Sequence, residues 1–184
     1  MKQLALALAL TGSCVFATTI ATTPASALET YEAQMEASDA ASQARVDMLD
    51  AFGPKELKPG QYVWRDVPPE AGAERVVISL SDQMAYLYRG STLVAASTIS
   101  SGRDDKPTPS GIFSVFNKET MHRSKKYDDA PMPYAQFFDP AGIAMHAGFN
   151  PGHPASHGCV RLPSAFAKKL YSVTDVGTPI FIGS

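Results

Sequence analysis

The chain has little sulfur to pair and little charge to spare: its 184 residues hold two cysteines, one tryptophan and four histidines, and the formal net charge is −2. A chain so close to neutral projects no basic field toward a polyanion, which excludes nucleic acid as a partner. Internal repeats and low-complexity tracts are absent, which excludes solenoid arrays. The one long apolar run, Leu4 to Ile20, follows Met1-Lys2-Gln3 and leads to Ala25-Ser26-Ala27. This is the pattern of a secretory signal peptide cut after Ala27. A membrane anchor is the alternative, disfavoured because Thr, Ser and Gly interrupt a short aliphatic stretch. Lipid attachment at Cys14 is a further alternative, with Thr11 where such a site usually has leucine.

Cleavage would remove Cys14 and leave about 157 residues with Cys159 as the single thiol. An intramolecular disulfide is then impossible, and an odd cysteine in an exported protein is either an intermolecular link or a reactive group.

What remains is long enough for one domain, and the whole sequence is 45% apolar. From Glu29 to Phe52 the spacing of Tyr31, Met35, Val46, Leu49 and Phe52 predicts a helix ended by Gly53-Pro54, a spacer or a docked element, with an interaction helix as the sharper reading. Prolines 54, 59, 68 and 69 then punctuate a linker holding one short strand, Gln61 to Trp64. Near residue 73 the period changes to two. Residues 76–80 and 84–88 read as strands, Arg89-Gly90-Ser91 as a turn, and 92–99, 111–116, 142–145 and 178–182 as further strands. Residues 117–134, with mixed charges and Pro131-Met132-Pro133, are expected to form a long irregular lid or binding loop. Only Pro163 to Tyr171 looks helical in this half, with Phe166, Leu170 and Tyr171 on one face. The expected division is 1–27 signal peptide, 28–73 helical spacer and linker, and 74–183 a mainly β domain with one short packed helix.

His146, His153, His157 and Cys159 crowd fourteen residues, with Arg161 just beyond. Zinc is one reading, since His153 and His157 are four apart. Gly152 and Pro154 would interrupt the helix this needs, and no Asp or Glu lies between residues 140 and 174 to complete or orient such a site. A buried inert thiol is another, because free cysteine packs well. Gly158 beside it, and polar Ser156, His157 and Arg161 around it, suit a nucleophile better: a base within reach and positive surroundings that favour the thiolate can both be supplied. Spacing alone does not choose the base between His157 and His146, although a strand-end His146 opposite a loop-borne Cys159 is the preferred geometry.

At these residues the sequence resembles a known family, the L,D-transpeptidase catalytic domain or YkuD domain. "RVVISLSDQMAYLYRGSTLVAASTISSG" is similar to its opening hairpin, "KPTPSGIFSV" to its Thr-Pro-x-Gly-x-Phe signature, "APMPY" to its lid and "IAMHAGFNPGHPASHGCVRL" to its active-site stretch. The resemblance spans 75–183 and implies a β-sandwich or barrel with a lid insertion. It implies Cys159 as nucleophile and His146 as general acid and base, oriented by a backbone carbonyl at Ala147 or Gly148. Amides around His157, Gly158 and Cys159 would form an oxyanion hole faced by Tyr134, with Ser156 and His157 shaping the loop. Arg161 would bind a substrate carboxylate. The thirteen-residue spacing from His146 to Cys159 is shorter than in some branches, and His153 receives no role.

The implied chemistry needs no metal or organic cofactor. A tetrapeptide stem of peptidoglycan would acylate Cys159, and an amine would take the acyl group, giving a 3→3 cross-link or anchoring a protein to the wall. Water in place of the amine would give a carboxypeptidase or a wall-releasing peptidase. Carbapenem β-lactams would acylate the same thiol, and the expected location is the periplasm. A sortase-type enzyme and a non-catalytic wall-binding module are the remaining alternatives.

Overall fold

Val76, Val77 and Ile78 are all fully buried, which an alternating strand achieves only when both faces of its sheet are covered. The computed structural model, which describes residues 28–69 and 72–184, shows how. The expected signal peptide and Cys14 lie outside the described residues.

Helix α1 (Tyr31–Phe52) is followed by β1 (Tyr62–Trp64), β2 (Glu74–Ser79), β3 (Met84–Arg89), β4 (Thr92–Thr98), β5 (Gly111–Ser114), β6 (Asn117–Ser124), β7 (Ala130–Asp139), β8 (Ile143–Ala147), β9 (Val160–Leu162), α2 (Ser164–Val173) and β10 (Pro179–Gly183). The strands form two sheets, a six-stranded one in the order β1-β4-β3-β2-β10-β5 and a four-stranded one in the order β6-β7-β8-β9. The class is mainly β. Of the two forms expected, sandwich or barrel, neither sheet closes into a barrel among the described residues.

The strand period sorts the core. Val76, Ile78, Ala85 and Leu87 point inward and meet Phe138, Met145, Val160 and Leu162 of the second sheet and Phe166 and Leu170 of α2. Val77, Met84, Tyr86 and Tyr88 point outward and meet α1. At roughly 25 cal/mol per Å² of apolar surface removed from water, this double coverage is the main favourable term in the fold.

α1 is docked, through a face other than the expected one. Tyr31, Met35, Val46 and Leu49 are exposed at 74, 47, 50 and 52%, whereas Ala33, Ala37, Ala41, Ala44 and Met48 are buried. Close approach explains the reversal. A Cβ built on Gly183 of β10 would lie 2.5 Å from the Ala37 carbonyl oxygen, so at this crossing the interface admits only small side chains. Thr30 caps the helix by accepting the Ala33 N–H at 3.3 Å. Tyr88 donates its hydroxyl to Asp47 at 2.6 Å, giving the polar tip of a buried ring its partner.

Residues 117–134 are the second correction: they form the β6–β7 hairpin, with Arg123 opposite Pro131 and Met121 opposite Pro133. The prolines fit because residues 130–133 pair with β6 alone, while β8 pairs only with Gln136, Phe137 and Asp139; a missing N–H on an open edge costs no ladder bond. The short β9 also went unexpected. α2 follows Pro163 and buries Phe166, whose ring meets Tyr62 at 5.6 Å and Trp64 at 5.9 Å.

Candidate active site

β8 and β9 run side by side and parallel, with His146 opposite Arg161. Side chains two apart on a strand share a face, so Cys159, the residue before β9, opens on the same side as His146 and Arg161. All three line one cavity of about 900 Å³. Ile143, Met132 and Phe137 give it an apolar wall, and Lys106, Lys125 and Lys126 outnumber Asp105 and Asp128 around it.

His146 is 8% exposed. Its Nδ1 lies 2.9 Å from the Ala147 carbonyl oxygen, which can only accept; the proton therefore belongs on Nδ1, and Nε2 is left as a free acceptor. Burial pushes the His146 pKa below its ordinary value, opposed by that carbonyl and reinforced by the charges of Arg161 and His122. Burial likewise pushes the Cys159 thiol up, against the Ala144 backbone N–H and the Arg161 charge. Desolvation thus outweighs the positive surroundings expected to favour a thiolate, and burial favours a neutral thiol and a neutral imidazole on the walls of one cavity.

The loop between β8 and β9 is tied by side chains to backbone. Ser156 accepts the Gly158 N–H at 3.1 Å and donates its hydroxyl to the Cys159 carbonyl. Backbone adds to this, the Ser101 carbonyl accepting the Ala155 and Ser156 amides, both at 3.0 Å. Arg161 donates from Nη1 to Phe149 O at 3.2 Å and from Nη2 to Ala155 O, so part of the fork expected to take a substrate carboxylate is spent on the loop. Gly148 leaves room for this, since a Cβ there would stand 3.0 Å from Arg161 Cδ.

Two expected positions are corrected. The Gly158 amide is occupied by Ser156, whereas the His157 and Cys159 amides have no acceptor among the described residues. Tyr134 is not in the cavity wall. Its φ is 56°, and the alternation of side chains changes phase there: Met132 before it and Ala135 and Phe137 after it share one cluster with Cys159. Its own ring goes to the other face, 5.9 Å from Tyr171 of α2. The tyrosine that lines the cavity is Tyr127, stacked on exposed His157 at 4.3 Å. Slight desolvation and the charges of Arg103, Lys106 and Arg161, opposed by Asp105, lower the His157 pKa.

Sequence reasoning also missed His122, which lines the cavity from β6, bonds Glu119 at 2.9 Å and stands edge-on to Phe137 at 5.0 Å. The signal was available only through strand alternation, which the charges of 117–126 obscured. His153 is exposed, with Nδ1 3.1 Å from Pro154 O. Among the described residues, no three of His, Cys, Asp and Glu gather as metal ligands would.

A cysteine and a carbonyl-tethered histidine facing one cavity in a two-sheet β domain define a class of thiol-bearing site. The family model described as the L,D-transpeptidase catalytic domain, YkuD, matches residues 73–182, and the chain belongs to that family. Among solved structures it is similar to an L,D-transpeptidase from Mycobacterium smegmatis, at 20% identity and a TM-score of 0.56, covering 60% of this chain and 58% of that one. It is also similar to an L,D-transpeptidase from Stackebrandtia nassauensis, at 23% and 0.57, covering 76% and 66%. A third is L,D-transpeptidase 3 from Mycobacterium tuberculosis in complex with a faropenem-derived adduct, at 21% and 0.55, covering 61% and 60%. The chain thus spans under two thirds of the length of each. A search of the curated proteins returns no match.

Proposed function

We propose that the chain is a peptidoglycan L,D-transpeptidase, exported to the periplasm, that moves an acyl group from a tetrapeptide stem to an amine. The observation that carries this reading is that Cys159 lines the same cavity as a His146 whose Nδ1 is committed to the Ala147 carbonyl. In the first step the thiol proton passes to His146 Nε2 as Sγ adds to the carbonyl at the L-centre of the diaminopimelate residue. The oxyanion collapses, the C–N bond to the terminal D-Ala breaks, and the leaving amine takes the proton from His146. A thioester on Cys159 remains. An acceptor amine then gives its proton to His146, adds to the thioester and releases the thiol. The neutral resting pair suits this sequence, because the proton moves only when an electrophile is in place.

A 3→3 cross-link and a protein anchored to the wall are both products of the amine step. The M. tuberculosis relative carrying a faropenem-derived adduct supports β-lactams as inhibitors of this chain too. The signal-like run before Ala27 supports export. The test is intact mass after incubation with a carbapenem: one adduct on wild type and none on Cys159→Ala is expected, and an unmodified wild type sinks the reading. Digestion of purified sacculi then separates transfer, which makes new dimers, from hydrolysis, which releases products without them.

A further inference from the structure

The Thr-Pro-x-Gly signature has no role in the chemistry above, yet its threonine touches the nucleophile's loop. Thr108 is 5% exposed. Its Oγ1 donates to the Gly158 carbonyl at 2.8 Å and accepts the Gly102 N–H at 2.9 Å. Both roles of the hydroxyl are therefore filled, and its proton has one destination. Gly102 fixes the other end of the bridge: a Cβ there would lie 2.2 Å from Lys106 O and 2.7 Å from the Thr108 nitrogen.

The Gly158 carbonyl belongs to the same peptide plane as the Cys159 N–H. No described peptide bond is cis, and in a trans peptide the C=O and N–H point in opposite directions. A hydrogen bond that holds the carbonyl toward Thr108 therefore turns the Cys159 N–H the other way. Gly158 has a φ of 113°, a conformation in which no Cβ steadies the plane, and the Cys159 amide has no acceptor among the described residues. Ser156 holds the neighbouring Cys159 carbonyl in the same fashion. With both flanking carbonyls tethered, the amide is aimed rather than free to rock.

We infer that Thr108 is a positioning residue for the acyl-transfer step, fixing the Gly158–Cys159 peptide so that the Cys159 N–H meets the oxyanion formed at the attacked carbonyl. This rests on the function proposed above. Donors fixed before the reaction are the ones that lower its barrier, because no reorganisation is then needed as charge develops.

The test compares Thr108→Ser, which keeps the hydroxyl, with Thr108→Val and Thr108→Ala, which lose it, in the full mature protein. Two rates are measured: acylation by a carbapenem, followed by mass, and alkylation by iodoacetamide, which reaches the same thiol without forming an oxyanion. Removing a donor of this kind costs on the order of 100-fold in rate, and losing its aim is expected to cost about a tenth to all of that. The expected result is slow acylation with unchanged alkylation in Val and Ala, and acylation within about threefold of wild type in Ser. Wild-type acylation rates in Val or Ala overturn the inference, as does an equal fall in both rates, which marks a merely structural threonine. A wild type that forms no carbapenem adduct but alkylates normally overturns the proposed function and this inference with it.

Discussion

Helix α1 and the loop from Gly148 to Cys159 both lie against the six-stranded sheet and its extension, and they are held there by different forces. α1 contributes four alanines and Met48 to an apolar seam with one buried polar contact, Tyr88 to Asp47. The loop contributes hardly any apolar surface. It hangs on hydrogen bonds: Asn150 to Thr98 at 3.1 Å, Ser100 to His153 O at 2.8 Å, Ser101 O to two amides, and Arg161 to two carbonyls. Apolar packing is non-directional and scales with area, whereas a hydrogen bond loses strength steeply when its angle opens. Burial therefore serves where only stability is required, and directed bonds serve where an amide and a thiol must point one way. Variants in the two regions should move different observables.

The largest effect is expected at Cys159→Ala, which abolishes acylation by a carbapenem while the melting temperature stays near that of wild type. A large drop in melting temperature would show the thiol to be part of the packing and would break the separation. Next, His146→Gln should slow acylation by about 100- to 10,000-fold, measured as the rate of adduct formation. pH supplies a gentler version of the same test. His146 must be neutral to accept the thiol proton, and its pKa lies below the ordinary 6.5. Acylation should therefore stay full above that value and fall only as pH drops through the depressed pKa. An acid limb centred above pH 6.5 would contradict a buried, neutral imidazole.

On the other side of the comparison, Ala44→Leu overfills the seam and should cost about 1 to 3 kcal/mol of stability, seen as a lower denaturant midpoint with the acylation rate unchanged. A parallel loss of rate would show the two regions to be coupled. The smallest expected change is Tyr88→Phe, which removes one hydrogen bond and should cost about 0.5 to 1.5 kcal/mol, again without effect on the thiol.

The same contrast explains what could be read in the sequence. Val76 to Leu80 and Met84 to Tyr88 announce strands because burial on alternating faces leaves a period of two. His146 and Cys159 stood out because their neighbours are unusual for packed residues. The hairpin at 117–139 hid behind charges and two prolines, since a strand that lines a solvent-filled cavity need not alternate in hydrophobicity. The seam of α1 hid behind alanines, whose low hydrophobicity conceals how closely they allow a helix to approach a sheet. Tyr134 was misplaced because a left-handed residue inside a strand reverses the phase of everything after it, and no side-chain pattern foretells that reversal.

The raised pKa of Cys159 has a further consequence. Peroxides and small disulfides attack thiolates, and their rates follow how much thiolate is present and how open it is. An exported protein with a lone exposed thiolate would soon be capped as a mixed disulfide or a sulfenic acid. Here burial favours the protonated sulfur in a half-buried niche, and in the proposed mechanism its reactivity is released only when a bound electrophile lets His146 take the proton. If the chain is exported as proposed, the desolvation that slows the free thiol would also let it last in an oxidising medium.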